Sequence, residues 1–318
     1  MKVFIAGATG VLGRRLVKQF RDRGAEVVGL ARNPQNETII HASGGQSRSG
    51  DLFHADSLAR AAEGADVIVH AATAIPTGDR PQPKEWQTND RIRHEGTRAL
   101  AECAARTGAK KLLVQSITWV ARPADHGAFN EDSPFHTDPI SQSAAEMETI
   151  ARESGERRGF RVAVLRCGLF YAADAAHTRH FGEALASRKL PIMGKGDAVW
   201  SWIHVDDAAS AFVAAAEGKK SGVWHIVDNE AVISGDYLRY FAERLGAPEP
   251  RQVPIWLARL LAGSAAVDFL TVSTRTSNER FRRDFGWAPR FPSYKEGLAE
   301  VISSWRTENF LGLRSKAA

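Results

Sequence analysis

The sequence is poor in cysteine and tyrosine. Its two cysteines, Cys103 and Cys167, cannot build a disulfide framework, and without a CxxC spacing they offer no zinc or dithiol site. Both read as buried thiols, and no metal is expected. No run of about 18 or more apolar residues occurs, so no membrane-spanning helix is expected. The opening MKVFIAGATG is too short and glycine-broken for the apolar core of a signal peptide, which points to a cytoplasmic protein. The net charge of +5 comes from scattered basic residues, clustered only briefly at 157–158, 219–220 and 280–283. Such scatter is a solvated surface and excludes a nucleic-acid-binding face. Tyrosine is scarce, with none before Tyr171, and no lysine lies between Lys111 and Lys189.

What is present is ordinary globular material: 318 residues, 43% hydrophobic and 25% charged, enough for one large domain or two smaller ones. Residues 2–6 form an apolar run of strand type, followed by a Gly-rich turn and then VLGRRLVKQFRDRG, where Leu12, Leu16, Val17 and Phe20 recur with helical spacing. The rhythm repeats. EVVGLA, DVIVHAA, KKLLVQS and RVAVLRC read as further strands, and 57–62, 91–107 and 141–158 as helices between them. Alternation of nearly continuous apolar strands with helices predicts a doubly wound α/β layer around a parallel sheet. Beyond Gly168 the rhythm loosens into short strands at AVWSWIHV and GVWHIVD and helices at 207–217, 235–245 and 294–305. A single amphipathic helix is predicted over 255–267, and the tail after Asn309 reads as loose.

The stretch GATGVLG at 7–13 follows the first strand and opens the first helix, the context in which such glycine spacing marks dinucleotide binding. Gly7, Gly10 and Gly13 allow a tight turn, close approach of a pyrophosphate and close helix packing. The backbone of Thr9, Val11 and Leu12 completes the helix start, whose free N–H groups and dipole favour an anion. Cofactor choice is set after the second strand, where a carboxylate would bind a ribose 2′-OH and an arginine a 2′-phosphate. GLARNP offers Arg32 and no acid, with Arg14 and Arg15 nearby, so NADP(H) is favoured over NAD(H). Asp51 and Leu52 are placed to meet the adenine.

These motifs, with GDL at 50–52, VIVHAA at 67–72, LVQSITWV at 113–120, IHVDDAASA at 203–211 and FGWAPRFPSYKEGL near the carboxyl end, carry a resemblance. The chain resembles the extended short-chain dehydrogenase/reductase superfamily, in its NAD-dependent epimerase/dehydratase branch, over essentially its whole length. The resemblance implies a Rossmann domain over 1–168 and a smaller, partly interleaved substrate-binding region over 169–318. It also implies a nicotinamide cofactor reached by Ala71, Ala72 and Gly168, a small-molecule substrate, and compatibility with a homodimer.

The same resemblance exposes a gap. The family's chemistry uses a Ser or Thr after the fourth strand, a Tyr that gives or takes the proton, and a Lys four residues on that lowers the phenol's pKa from about 10. Ser116 holds the Ser position, with Thr118 two residues later. Ile140 takes the Tyr position and Ala144 the Lys position. Neither can titrate, donate or accept. Tyr171, just past the fifth strand, is then the proton-donor candidate, with His177 and His180 behind it on a predicted lid. His70 and His94 read as packing residues. Nucleotide-sugar members resemble one another in an Asn and an Arg that serve the diphosphate; here Leu169 and Trp200 stand there. With Phe170, Trp119, Trp202 and Ile140 they describe an apolar or aromatic pocket. The reading is an atypical reductase of a hydrophobic carbonyl, enone, imine or quinone-like molecule. A dinucleotide-binding sensor, or a redox-neutral isomerase or lyase, stands beside it.

Overall fold

A computed structural model describes residues 1–76 and 82–313. Strands β1 (Lys2–Ala6), β2 (Glu26–Ala31), β3 (Gln46–Ser49), β4 (Val67–His70), β5 (Lys111–Ile117) and β6 (Arg161–Cys167) come first along the chain. The second half adds β7 (Leu169–Tyr171), β8 (Ile192–Met193), β9 (Val199–Trp200), β10 (Trp202–His204), β11 (Gly222–Ile226), β12 (Val232–Ile233) and β13 (Gln252–Val253). The main sheet is seven-stranded in the order β11-β6-β5-β4-β1-β2-β3, parallel throughout, with the order reversing beside β1. Gln-Ser-Arg-Ser makes β3 a polar edge strand without alternation, which is why periodicity does not find it.

Helices α1 (Val11–Asp22), α2 (Pro34–Ala42), α3 (Ala55–Ala61), α4 (Pro83–Arg91), α5 (Thr97–Thr107) and α6 (Gln142–Arg158) connect the first six strands. Then follow α7 (Ala176–Ala186), α8 (Val205–Glu217), α9 (Ser234–Leu245), α10 (Ile255–Ala262), α11 (Ser264–Thr271), α12 (Glu279–Phe285) and α13 (Tyr294–Thr307). Alternate residues of each buried strand face opposite layers. Val3 and Ile5 pack with Leu16, Val17 and Phe20 of α1 and Phe212 of α8, whereas Phe4 and Ile68 pack with Leu100 of α5 and Met147 of α6. Buried Lys111 ties the layers: its ammonium donates to the carbonyls of Ala215 and Gly218 at the end of α8, at 2.6 and 2.7 Å.

Two predicted helices differ from what is found. The stretch 255–267 is broken at Gly263, whose φ of +87° and ψ of 157° end α10 and start α11 in a new direction. The helix predicted over 91–107 belongs to a longer rod in which α4 and α5 are joined by a π turn at Ile92–Gly96. Three two-stranded sheets (β7 with β10, β9 with β12, β8 with β13) carry the remaining strands. A second core lies among them, built on Trp200, Trp202, Tyr171, Tyr237, Phe241 and Trp305.

Candidate active site

The carboxyl ends of the parallel strands meet where the strand order reverses, the place where doubly wound sheets bind ligands. Gly7 and Gly13 are demanded by packing. A Cβ on Gly7, itself at φ +92°, would fall 2.4 Å from the Ala71 carbonyl, and one on Gly13 would fall 1.9 Å from the Gly7 oxygen. Gly10 differs: its backbone is extended, it caps α1, and a Cβ there meets only the Gly7 oxygen at 3.5 Å. Its side of the loop is open, and a pyrophosphate fits against the free N–H groups of α1. Val11 is half-buried and Leu12 packs its side chain into the core, leaving their backbones at the helix start. Ala71 and Ala72 lie directly against the loop.

Arg32 follows β2, exposed and without an ion pair among the described residues. Arg14 and Arg15 do not join it. Arg14 donates to the Thr9 carbonyl at 2.9 Å and pairs with Asp174 at 2.7 Å, while Arg15 pairs with Asp174 at 2.8 Å and with Asp206. They staple α1 to the segment before α7 and to α8. Burial works to raise the Asp174 carboxyl, but hydrogen bonds and charge from Arg15 and Arg14 outweigh it and hold it at about 2. Asp51 is exposed and accepts the Phe53 N–H at 2.9 Å, and Leu52 is buried beside Gly96. A Cβ on Gly168 would meet the Ser201 oxygen at 2.5 Å, so that glycine serves the close approach of two segments.

At the far side of β1 lie the positions that the family resemblance pairs with its Ser, Tyr and Lys. Ser116 is buried on β5, and its hydroxyl donates to Glu148 Oε1 on α6 at 2.5 Å. Glu148, fully buried, is gripped by Arg166 of β6 through Nε at 2.9 Å and Nη2 at 2.8 Å. The Ser116 hydroxyl thus donates to a carboxylate that a bidentate arginine holds in place. Thr118 is buried, and its hydroxyl has no partner among the described residues. Ile140, 36% exposed, lies in the turn before α6, and Ala144 is sealed among Val120, Ala121 and Phe129. Half-buried Trp119 meets Phe269 of α11 edge-on at 5.1 Å, an aromatic wall that sequence reasoning missed on the α11 side.

Tyr171 requires correction. It has 0% exposure, its hydroxyl donates to Asp228 Oδ2 at 2.9 Å, and Gly297 packs against its ring. Burial, followed by the charge of Asp228, pushes the phenol well above its usual value, and burial likewise pushes the Asp228 carboxyl up. Tyr171 is a structural member of the second core, closed off from any substrate. Trp200 and Trp202 are corrected in the same way: both are buried there, Trp202 stacked on Tyr237 at 4.5 Å, rather than lining an open pocket. Leu169 and Phe170 sit half-buried on β7. The predicted lid is helix α7, where the His177 imidazole is bonded to the Phe170 carbonyl and His180 is exposed. His70 closes β4, and burial drives its imidazole down to about 4.

Residues 3–227 match the sequence model of the NAD-dependent epimerase/dehydratase family. A 3-diazoavenalumate denitrifying reductase of a Streptomyces species is 35% identical over 311 residues, covering 94% of this chain and 99% of that protein. The ceramide reductase of Caulobacter vibrioides is 26% identical, covering 93% of this chain and 88% of its own. Among solved structures, human epimerase family protein SDR39U1 with NADPH superposes with a TM-score of 0.80 at 21% identity, covering 95% of this chain and 99% of its own. The family model spans the glycine loop, the Ser116 strand and the α8 motif together, and the chain belongs to the NAD-dependent epimerase/dehydratase family.

Proposed function

We propose that the protein is an NAD(P)H-dependent reductase whose substrate accepts a hydride without a proton from the protein. The carrying observation is the chemistry of three positions at one site: Ile140 and Ala144 are apolar, and the Ser116 hydroxyl is spent donating to Glu148. A ketone reduced here would become an alkoxide with no tyrosine–lysine pair to quench it. Such a site suits an acceptor that is already cationic or strongly electron-poor. A bound nicotinamide dinucleotide supplies the hydride. The chain's part is to hold the glycine-loop end and orient the acceptor.

The relative that reduces a diazo compound sharpens the class. For an aryl diazonium, one hydride enters the ring-bearing fragment and dinitrogen leaves with the bonding pair, so atoms and charge balance with no added proton. An aromatic or apolar molecule bearing a diazonium, iminium or similarly electron-poor centre is the proposed substrate. Arg32, with no acid beside it after β2, supports NADPH over NADH. The test incubates the protein with NADPH deuterated at the transferable position and two substrates, an aryl diazonium salt and an aryl ketone. Deuterated arene with release of dinitrogen, and no alcohol, is the expected result; brisk ketone reduction with an inert diazonium would overturn the proposal. Arg32→Ala is expected to weaken NADPH about tenfold and leave NADH unchanged.

A further inference from the structure

Arg93 lies on the π turn and is 5% exposed. A buried arginine is almost always paired with a carboxylate. Among the described residues none lies within 4.0 Å of this guanidinium. Its Nη1 donates to the Ile140 carbonyl at 2.9 Å and to Ser143 Oγ at 3.0 Å, and Ser143 passes its own proton to Asp90 at 2.6 Å. The Nε and Nη2 groups bond no described residue, and neither is among the polar atoms sealed in the interior. Their donor capacity is used by no described residue.

The location says which ligand. Arg93 stands between the end of β4, where its charge is felt by His70, and the start of α6. The glycine loop after β1 fixes where a pyrophosphate lies, and Arg32 after β2 marks the adenosine side. The other half of a dinucleotide therefore crosses the ends of β4 and β5 toward α6. That half offers hydrogen-bond acceptors, namely two ribose hydroxyls and a carboxamide oxygen. We propose that Arg93 is the residue that positions the nicotinamide half of the cofactor, donating from Nε or Nη2 to one of those oxygens while Nη1 holds the start of α6. It brings a cation from the π turn to the helix start where Ala144 supplies none. The inference rests on the dinucleotide reading above.

The test separates the two halves of the cofactor. Full-length protein is titrated with the matched pairs NADPH and 2′,5′-ADP, and NADH and 5′-ADP, and the tighter pair is followed in variants. Arg93→Gln is expected to weaken the whole dinucleotide at least tenfold and to leave the adenosine fragment within about twofold. Arg93→Lys, which keeps the charge, covers the case in which Arg93→Gln does not fold, and should weaken only the dinucleotide, by about threefold. Unchanged dinucleotide affinity in a folded variant, or equal weakening of dinucleotide and fragment, overturns the assignment. Binding of neither ligand by the unaltered chain overturns the dinucleotide reading along with it.

Discussion

Ser116, Glu148 and Arg166 form a buried unit on adjacent strands and the helix above them, since Ser116 and Arg166 are register partners of β5 and β6. Removing one charge leaves the other buried without compensation, so Arg166→Met or Glu148→Gln is expected to lower stability by roughly 3–5 kcal/mol in denaturant titrations. Tyr171→Phe removes one buried hydrogen bond and should cost about 1–3 kcal/mol. It should leave hydride transfer within about threefold, because the phenol never meets the substrate. Tyr171 was the natural sequence candidate because it follows a strand end, and strand ends carry ligands. What the sequence hides is side-chain direction: Asp228, its partner, is 57 residues away. Arg93 was hidden for the same reason, since an arginine in a helical run reads as solvated until a π turn and a neighbouring helix bury it.

At the scale of elements, the strand–glycine–helix opening was legible because its signal is local and its partners are adjacent. Its glycines nevertheless differ in kind. Gly13→Ala would drive a Cβ into the Gly7 oxygen and is expected to destabilise the fold, whereas Gly10→Ala has room. Gly10→Ala should melt near the unaltered protein yet bind the dinucleotide at least tenfold more weakly, measured by calorimetric titration beside thermal melts. On the sequence alone Arg14 and Arg15 could add to a 2′-phosphate site or stand solvated, because nothing there shows that Asp174 returns to α1. With its carboxyl held at about 2, below the usual unfolded value near 3.9, Asp174 contributes stability above about pH 4 that is lost as pH falls toward 2. Asp174→Asn should therefore flatten that part of the acid-unfolding profile. The break between α10 and α11 was missed because apolar spacing continues across Gly263 while its positive φ turns the chain.

For the whole molecule, the doubly wound sheet followed from alternation of strands and helices, and the second core did not. Tryptophans 200 and 202 could be pocket or core on composition alone; contacts with Tyr237, Phe241 and Trp305 through β9, β10, α9 and α13 make them core. The sheet then presents one set of strand ends with a glycine loop at one side and, at the other, positions without the tyrosine–lysine pair. That combination is the central claim: hydride transfer that needs no protein acid. It is tested most directly by single-turnover oxidation of bound NADPH by an aryl diazonium, followed over pH 6 to 9 in H2O and D2O, with the Ser116→Ala variant alongside. A rate that does not vary with the enzyme's ionisation, shows no solvent isotope effect and survives Ser116→Ala within about tenfold is the expected result. A titrating limb with a solvent isotope effect, or a loss of about a thousandfold in Ser116→Ala, would contradict it.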